Sequence, residues 1–373
     1  MKKVFLSIAV GIVMLFATAI TSAQGYLFTD IVKVPTTSVK NQGSSGTCWS
    51  YATAAFLESE LLRTGKGDHD LSEMYAVRIN YVGKMNDNYL RRGKGNLGQG
   101  SLAHMFTDIV KKYGMIPQEA YNGINYDSKI NNHKELNKYI NAFSQAAVEL
   151  KQKGPQYDIL TETILDTYLG KIPEKFTYKG KEYTPLTFAA EMGLNMNDYV
   201  EITSFTHIPF YEQSIVEVPD NWNNGRMWNV PLDEFMSIIE NALTNGYTVC
   251  WDGDVSEKGF SHKNGVAINP AAEDLEEALK FEKISKEISV DQIIRQGGYE
   301  TFTTTDDHLM LLTGISKDQE GNKYFITKNS WGPDRNSMGG YLNMSESFIR
   351  AKSISVMVHK NSIPKEIRKK LNF

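Results

Sequence analysis

Cysteine is scarce in this chain, since only Cys48 and Cys250 occur among 373 residues. Two thiols form at most one bridge, so a fold held together by several disulfides is excluded. We interpret both thiols as free. The surroundings of Cys250, YTVCWDGD, are rich in β-branched and aromatic residues, which predicts a small apolar residue buried in a strand. Cys48 stands instead in NQGSSGTCWS, among glycine and hydroxyl residues just ahead of a helical pattern.

Long apolar runs are also scarce, and the one present covers residues 4–20 near the start of the chain. It follows Lys2 and Lys3 and precedes small residues that end at Ala23, a pattern typical of a secretory signal peptide over residues 1–23. We therefore expect the rest of the chain to be exported, periplasmic or extracellular, with no stable membrane association. The length of the run leaves an uncleaved anchor as the alternative.

The sequence has no excess of positive charge and no metal-binding pattern. The formal net charge is −4, so nucleic acid is not an expected partner. No His/Cys cluster has metal-ligand spacing, and we predict no metal and no cofactor. GKGNLG at 93–98 fits the G-x-G-x-x-G pattern but follows no clear strand, which argues against a dinucleotide site. Residues 252–254 begin like a calcium loop without its central glycine, and we interpret them as a turn.

Apolar spacing divides the chain into a helical first half and a strand-rich end. The helical patterns lie at 48–62, 101–114, 132–150, about 157–169, about 231–244 and an acidic stretch at about 270–287. The first predicts an amphipathic helix that begins at or near Cys48, and Ser101 is expected to cap the second. A hairpin is predicted over 175–183, followed by a helix that Thr184 caps. HLMLLTGIS, KYFITKNSW and GGYLNMS predict strands.

These positions supply the parts of a thiol-based acyl transfer. A helix N-terminus favours the thiolate of Cys48, and an imidazole such as His308, at the start of an apolar strand, acts as its base. Asn329 can orient that imidazole, and Gln42 with the backbone N–H of Cys48 can stabilise an oxyanion. Taken singly, His308 also fits a structural role and Asn329 a turn.

Four separated motifs resemble those of the papain-like cysteine peptidases: NQG at 41–43, SGTCW at 45–49, His308 and NSWG at 329–332. The resemblance implies an α+β, two-lobe papain-like fold, with a helical lobe facing a β-rich lobe. It also implies a set of site residues. Those implied as catalytic are Cys48, His308, Asn329 and Gln42, and those implied as substrate-binding are Trp49, Trp331, Gly98 and Gly100, the two glycines being ordinary turn residues in the alternative interpretation.

The spacing of the motifs points to one branch of that family. Compact papain-like enzymes place His and Asn about 130 to 150 residues after the Cys, and here both lie much farther along the chain. The peptidase domain is therefore expected to span 24–373, with a large, mainly helical insertion at about 123–245. VKKYGMIPQEAY, TPLTF and VHKNSIPKEI resemble the bleomycin hydrolase and aminopeptidase C branch. That resemblance implies a thiol protease that acts on peptides as an exopeptidase.

The chain also departs from this branch, whose members are usually cytoplasmic. They carry an N-terminal extension used in a hexamer and a C-terminal arm in the cleft, whereas here only residues 24–40 precede the first motif and the sequence stops at Phe373. A homo-oligomer is therefore possible, but the hexamer of this branch is not predicted. An endopeptidase whose cleft is not blocked by an arm is an alternative to the exopeptidase. A thiol acyltransferase with the same dyad is another. A non-catalytic binding module would be expected to lose at least one of the four motif positions.

Overall fold

The computed structural model describes residues 25–373, so the predicted signal peptide lies outside the described residues. The helices are α1 (Cys48–Arg63), α2 (Glu73–Leu90), α3 (Ala103–Tyr113), α4 (Lys134–Leu150), α5 (Pro155–Leu169), α6 (Pro185–Met192), α7 (Leu232–Thr244), α8 (Leu275–Ala278), α9 (Gln292–Glu300), α10 (Glu346–Lys352) and α11 (Lys365–Lys370). Within this range no helix is both long enough and apolar enough to span a bilayer.

The strands form one large sheet and one separate hairpin. They are β1 (Thr29–Lys33), β2 (Phe176–Tyr178), β3 (Lys181–Tyr183), β4 (Tyr199–Thr203), β5 (Gln213–Ile215), β6 (Arg226–Asn229), β7 (Val249–Gly253), β8 (Phe260–Ser261), β9 (Val266–Ala267), β10 (His308–Lys317), β11 (Lys323–Lys328), β12 (Tyr341–Ser345) and β13 (Ser353–His359). The sheet order is β5-β6-β4-β13-β7-β10-β11-β12-β9-β8, and β1 pairs with β10.

Strand β10 joins the two halves of the core. Its side chains alternate between the faces of the sheet, as strand geometry requires. Leu309 and Leu311 belong to the core on the α1 side, whereas Met310 and Leu312 belong to the core that contains α7. The strand is therefore buried on both faces, and its first residue lies at the margin where the helical side meets the sheet.

Helix α1 begins at Cys48 as predicted, but the expectation that it is amphipathic is wrong. Every residue from Cys48 to Leu61 is buried, because α1 lies between the sheet and the helices α2 and α3. Its polar side chains are satisfied internally. Thr53 Oγ1 donates to Trp49 O at 2.7 Å, and the fully buried Glu58 accepts from Lys40 Nζ at 2.8 Å. The polar residues of α1 therefore form hydrogen bonds inside the protein and do not define a solvent-exposed face.

Other local predictions had mixed outcomes. The hairpin forms with Lys179 (φ 47°) and Gly180 (φ 80°) in its turn, and Thr184 caps α6 in a capping box. Ser101 does not cap α3, which begins two residues later after Leu102. The acidic stretch at 270–287 is not one helix. Only α8 and a 3₁₀ turn form there, because Phe281 adopts a left-handed φ of 56° and the ends of the stretch pair with each other.

The segment predicted as an insertion has a mixed structure. It contributes α4, α5, the hairpin and α6, and then the strands β4 to β6 and helix α7. Helices α4 and α5 pack on α2, while β4 pairs antiparallel with β13 and so extends the main sheet. The boundaries at about 123 and 245 stay a prediction. The strand-containing part matters for the site, because residues 216–223 follow β5.

Candidate active site

Cys48 is the first residue of α1, with 8% of its surface exposed. Its sulfur accepts a hydrogen bond from the backbone N–H of Leu309, the residue after His308, so the thiol lies at the start of β10. Burial raises the pKa of the Cys48 thiol to about 12, and Asp220, Asp306 and Asp252 raise it further. The helix N-terminus therefore does not lower the pKa of this thiol on balance, and the thiol is protonated when the site is empty.

His308 is buried and held through one ring nitrogen. Its Nε2 lies 2.8 Å from Asn329 Oδ1, an acceptor, so Nε2 carries the proton and Nδ1 the lone pair. Burial lowers the pKa of His308 to about 4, which the bond to Asn329 partly opposes. The imidazole is consequently neutral near pH 7. A neutral base beside a protonated thiol is the arrangement needed to remove the thiol proton during attack.

The amide of Asn329 is fixed from three sides. Its Oδ1 also accepts from the backbone N–H of Ser330 at 2.7 Å, and its Nδ2 lies 3.4 Å from Nδ1 of His262. The Trp331 ring lies 5.0 Å, centroid to centroid, from His308 and from His262. Trp331, predicted as a substrate-binding residue, therefore packs beside both imidazoles. His262 was not predicted, since nothing in SHKNG distinguishes it from a turn residue.

Gln42 connects the loop before α1 to the segment around Asn329. Its Nε2 donates to Ser45 O at 2.7 Å, and its Oε1 accepts from Ser330 Oγ at 2.6 Å. These bonds fix the amide, which is only 7% exposed. Because Nε2 carries two hydrogens and Ser45 takes one, a second N–H is available as a donor. The structure thus places all four predicted catalytic residues around the junction of α1 and β10.

The predicted substrate-binding residues Trp49, Gly98 and Gly100 make structural contacts within the chain. Trp49 is fully buried, and its Nε1 donates to Gln99 O at 3.1 Å, so it supports the glycine segment and does not face a substrate. Lys84 Nζ donates to the carbonyl oxygens of Gly98 and Gly100. A Cβ on Gly100 would come within 1.7 Å of Asp220 Oδ2. A side chain at position 100 would therefore displace the Asp220 carboxylate from its place over the glycine segment.

A model of the Peptidase C1-like family matches residues 94–373. The chain belongs to this family. The curated relatives include aminopeptidase C of Lactobacillus delbrueckii subsp. lactis, 22% identical over 91% of this chain and 83% of that protein. They also include "Cysteine proteinase 1, mitochondrial" of Saccharomyces cerevisiae, 23% identical over 95% of this chain and 81% of that protein. A crystal structure of PepW from Lactobacillus rhamnosis matches with a TM-score of 0.72 and 20% identity, covering 92% of this chain and 84% of that one.

This C1-like peptidase is therefore a cysteine peptidase of the aminopeptidase C and bleomycin hydrolase type, as the sequence motifs predicted. The α+β papain-like fold is likewise confirmed. The family match begins at residue 94, so it includes His308 and Asn329 but not Cys48. The catalytic roles of the individual residues accordingly belong to the proposal below.

Several acidic residues near Cys48 had no signal in the sequence. Asp252 was interpreted as part of a turn, but it lies in β7 opposite Leu309 of β10. Asp306 was not singled out although it lies two residues before His308, and Asp220 comes from the predicted insertion. Only the pairing of β7 with β10 and the path of residues 216–223 bring these three carboxylates together, and neither is a local property of the sequence.

Replacing Asn329 by alanine is expected to lower kcat about 100-fold, because His308 loses the acceptor that fixes its tautomer. The bond to Asn329 raises the pKa of His308, so its loss should also move the acidic limb of the pH–rate profile to lower pH. The measurement is kcat and kcat/KM against pH. Asn361→Ala, at an exposed position, is the matched control and should change neither. An unchanged kcat in the Asn329 variant would contradict this role.

Proposed function

We propose that this C1-like peptidase hydrolyses peptide bonds with Cys48 as the nucleophile, His308 as the general base and Asn329 as the residue that positions His308. One observation supports it above the others. The His308 Nε2–Asn329 Oδ1 bond of 2.8 Å leaves Nδ1 as the basic nitrogen, at the strand end whose next N–H bonds the Cys48 sulfur. A nucleophile, its base and a group that orients the base are the elements of covalent acyl transfer.

The first step joins proton transfer to attack. His308 Nδ1 takes the thiol proton as the sulfur of Cys48 attacks the substrate carbonyl carbon. The positive imidazolium and the negative oxyanion therefore form together and attract each other. The carbonyl oxygen becomes an oxyanion. Two donors suit it: the second N–H of Gln42 Nε2, and the backbone N–H of Cys48, which has no partner within its helix because it lies in the first turn.

The second half of the reaction returns the proton. His308 donates it to the leaving amine, which departs and leaves an acyl thioester on Cys48. A water molecule, deprotonated by the same imidazole, then attacks the thioester and releases the acid. The thiol is restored by the proton that His308 has gained. No other reactant is required besides the peptide and water.

The finer proposal is that the enzyme removes residues from free peptide N-termini. It is supported by the names of the relatives, which include aminopeptidases C, W and G. The test is hydrolysis, in reducing buffer, of one peptide series with free and with acetylated N-termini. Cleavage restricted to free N-termini is expected. Equal cleavage of both series would establish an endopeptidase, and transfer of the acyl group to an added amine in preference to water would establish an acyltransferase.

We also propose that the peptidase acts outside the cytoplasm. The proposal is supported only by the sequence of residues 1–23, with its basic start, apolar run and small residues before Ala23. N-terminal sequencing of the protein recovered from the periplasm or the medium should begin at Gln24. Recovery in the cytoplasm with an intact N-terminus would contradict export.

A further inference from the structure

Three carboxylates lie close enough to the proposed nucleophile for their charges to raise the pKa of its thiol. Asp252 lies in β7 opposite Leu309, whose N–H bonds the Cys48 sulfur, and Asp306 lies two residues before His308. Asp220 approaches from the other side, above the glycine segment. Asp220 has the largest effect of charge on the Cys48 thiol, followed by Asp306 and Asp252. They belong to the margin of the active site and not to a distant surface.

The carboxylates contact one another. The backbone N–H of Asp220 donates to Asp306, and the side chain of Asp306 is hydrogen-bonded to that of Asp252. Two carboxyl groups can bond in this way only when they share a proton. Burial, reinforced by neighbouring acids, raises the pKa of Asp306 to about 7 and that of Asp252 well above its usual range, which is consistent with the shared proton.

This group has few hydrogen-bond donors: Ser355 Oγ lies 3.5 Å from Asp252 Oδ2, and Asp306 accepts from the backbone N–H of Asp220. Asp252 is only 2% exposed, and within residues 25–373 neither its Oδ1 nor Asp306 Oδ2 has a donor from another residue type. Asp220 Oδ1 has a single amide donor, Asn96 Nδ2, at 3.2 Å. Lys84, the nearby cation, donates to the carbonyl oxygens of Gly98 and Gly100 instead. Apart from the proton that Asp252 and Asp306 share, these buried oxygens have few donors, and a bound group with several N–H bonds would supply them.

Asp220 belongs to a segment that packs beside the proposed active site. Residues 216–223 lie on the glycine segment, where Asn96 Nδ2 donates to Pro219 O at 2.6 Å and Asp220 Oδ2 stands over Gly100. Trp222 Nε1 holds the far end of this segment through Asn80 Oδ1 at 3.1 Å. A substrate that extends past Asp220 would meet this segment. A substrate that ends there would place its terminal group against the carboxylates.

A cavity of about 640 Å³ opens beside Asp306 and gives room for the residue that carries such a group. Its lining includes Pro219 and Val218 from residues 216–223 together with Tyr299 and Phe302 from the region of α9. These walls are mostly apolar, although Glu217 and Glu300 also line the cavity, and Asp306 is the lining carboxylate that belongs to the group beside Cys48.

We propose that Asp220, Asp306 and Asp252 form a subsite for an ammonium group of the substrate, immediately N-terminal to the scissile bond. The inference rests on the proposed function and names the feature of the substrate that the site selects. We expect an α-ammonium group in preference to a basic side chain, because residues 216–223 pack on the glycine segment beside Asp220, where a longer peptide would meet them. The bound positive charge also offsets the negative field at Cys48, so the substrate itself favours formation of the thiolate.

The test measures binding, separately from turnover, in a Cys48→Ala protein. The probes are Ala-Ala-Phe amide, its N-acetyl form, and propionyl-Ala-Phe amide, which lacks the amine without added bulk. Titration calorimetry is expected to show the free amine binding about tenfold or more tightly than either neutral probe. Asp220→Asn and Asp306→Asn should bring that ratio towards one. Asp127→Asn, the same charge change at an exposed position, should leave it unchanged.

A further pair of probes separates the two sources of ammonium. If N-acetyl-Lys-Phe amide exceeds its norleucine counterpart while the free α-amine confers no gain, the subsite stands and a side chain is its ligand. The proposal is overturned if propionyl and free-amine probes bind equally and lysine confers no gain. It is also overturned if only the acetyl form is weak, since bulk would then explain the selection. These ratios come from the unmutated subsite, so they hold even where an aspartate variant does not fold. Absence of turnover in the unsubstituted enzyme would refute the proposed function alone.

Discussion

Replacing Cys48 by alanine will abolish peptide hydrolysis, with a fall in kcat of about 10⁴-fold or more, because no other group replaces the nucleophile. The fold should survive. Cys48 is the first residue of α1, and alanine is the best helix former and leaves only a small space where the sulfur stood. Initial rates on an aminoacyl substrate in reducing buffer, together with circular dichroism spectra of both proteins, provide the measurement.

The second cysteine provides the control. Cys250 is 1% exposed in β7, with its sulfur 3.8 Å from Thr53 Oγ1. Cys250→Ala should keep its turnover and lose about 1 kcal/mol of unfolding free energy from the vacated space. A thiol-directed epoxide should label Cys48 alone, since only Cys48 borders the cleft. Turnover retained by Cys48→Ala, or lost by a folded Cys250→Ala, would refute the assignment of the nucleophile.

The residues that could be predicted from sequence are those that lie in short motifs or in long periodic segments. Cys48, His308 and Asn329 each stand in a recognisable motif at an element boundary, and α4 and α7 follow regular apolar spacing closely enough to be placed within a few residues. The predicted hairpin is set by turn chemistry at Lys179 and Gly180. All of these signals are local, and tertiary packing did not override them.

What could not be predicted depends on distant contacts. The polar residues of α1 suggested a solvent-facing side, whereas Glu58 is buried against Lys40. From sequence, Asp252 was interpreted as a turn residue, and only the pairing of β7 with β10 shows that it lies in a strand. Asp220 belongs to no recognisable motif. His262 reaches Asn329 only because β8 and β9 lie at the far edge of the same sheet. In each case the missing information was the identity of the partner, which spacing along the chain does not contain.

Lys40→Met is expected to destabilise the folded protein by about 3–5 kcal/mol near pH 8, the cost of leaving buried carboxylates without their cation. Lys40 Nζ lies 2.8 Å from Glu58 Oε1, 2.6 Å from Asp70 Oδ1 and 2.7 Å from Glu73 Oε1. The side chains of Glu58 and Glu73 are 0% and 1% exposed. These three carboxylates converge closely enough to suggest a metal site, but the ammonium group already occupies its centre. Lys40 therefore ties α1 and α2 to the loop that carries Gln42.

The unfolding free energy lost on replacing Lys40 should increase as pH rises. Burial raises the pKa of Glu73 to about 7, and the charge of Lys40 opposes that rise. Without Lys40 the folded-state pKa of Glu73 moves higher still, while in the unfolded chain it stays near 4.5. Between these two pKa values, Glu73 of the variant is protonated in the folded state and ionised in the unfolded state. The unfolding free energy of the variant therefore falls as pH rises through this range, and the loss is largest above the folded-state pKa. The Lys40 ammonium keeps its charge well into the alkaline range, because the three carboxylates raise its pKa despite burial, so the change between acidic and neutral pH comes from the carboxyl groups.

Urea midpoints at about pH 5 and about pH 8 test both the size and the sign of this effect. Lys33→Met is the matched control, since Lys33 is a 65% exposed side chain paired only with the exposed Asp30, and its midpoint should hardly move at either pH. Equal losses for the two variants, or a loss at Lys40 that shrinks as pH rises, would show that Glu58 and Glu73 do not need this cation. Because Lys40 adjoins the loop of Gln42, the variant should also lose activity before it unfolds, as the oxyanion donor loses its fixed position.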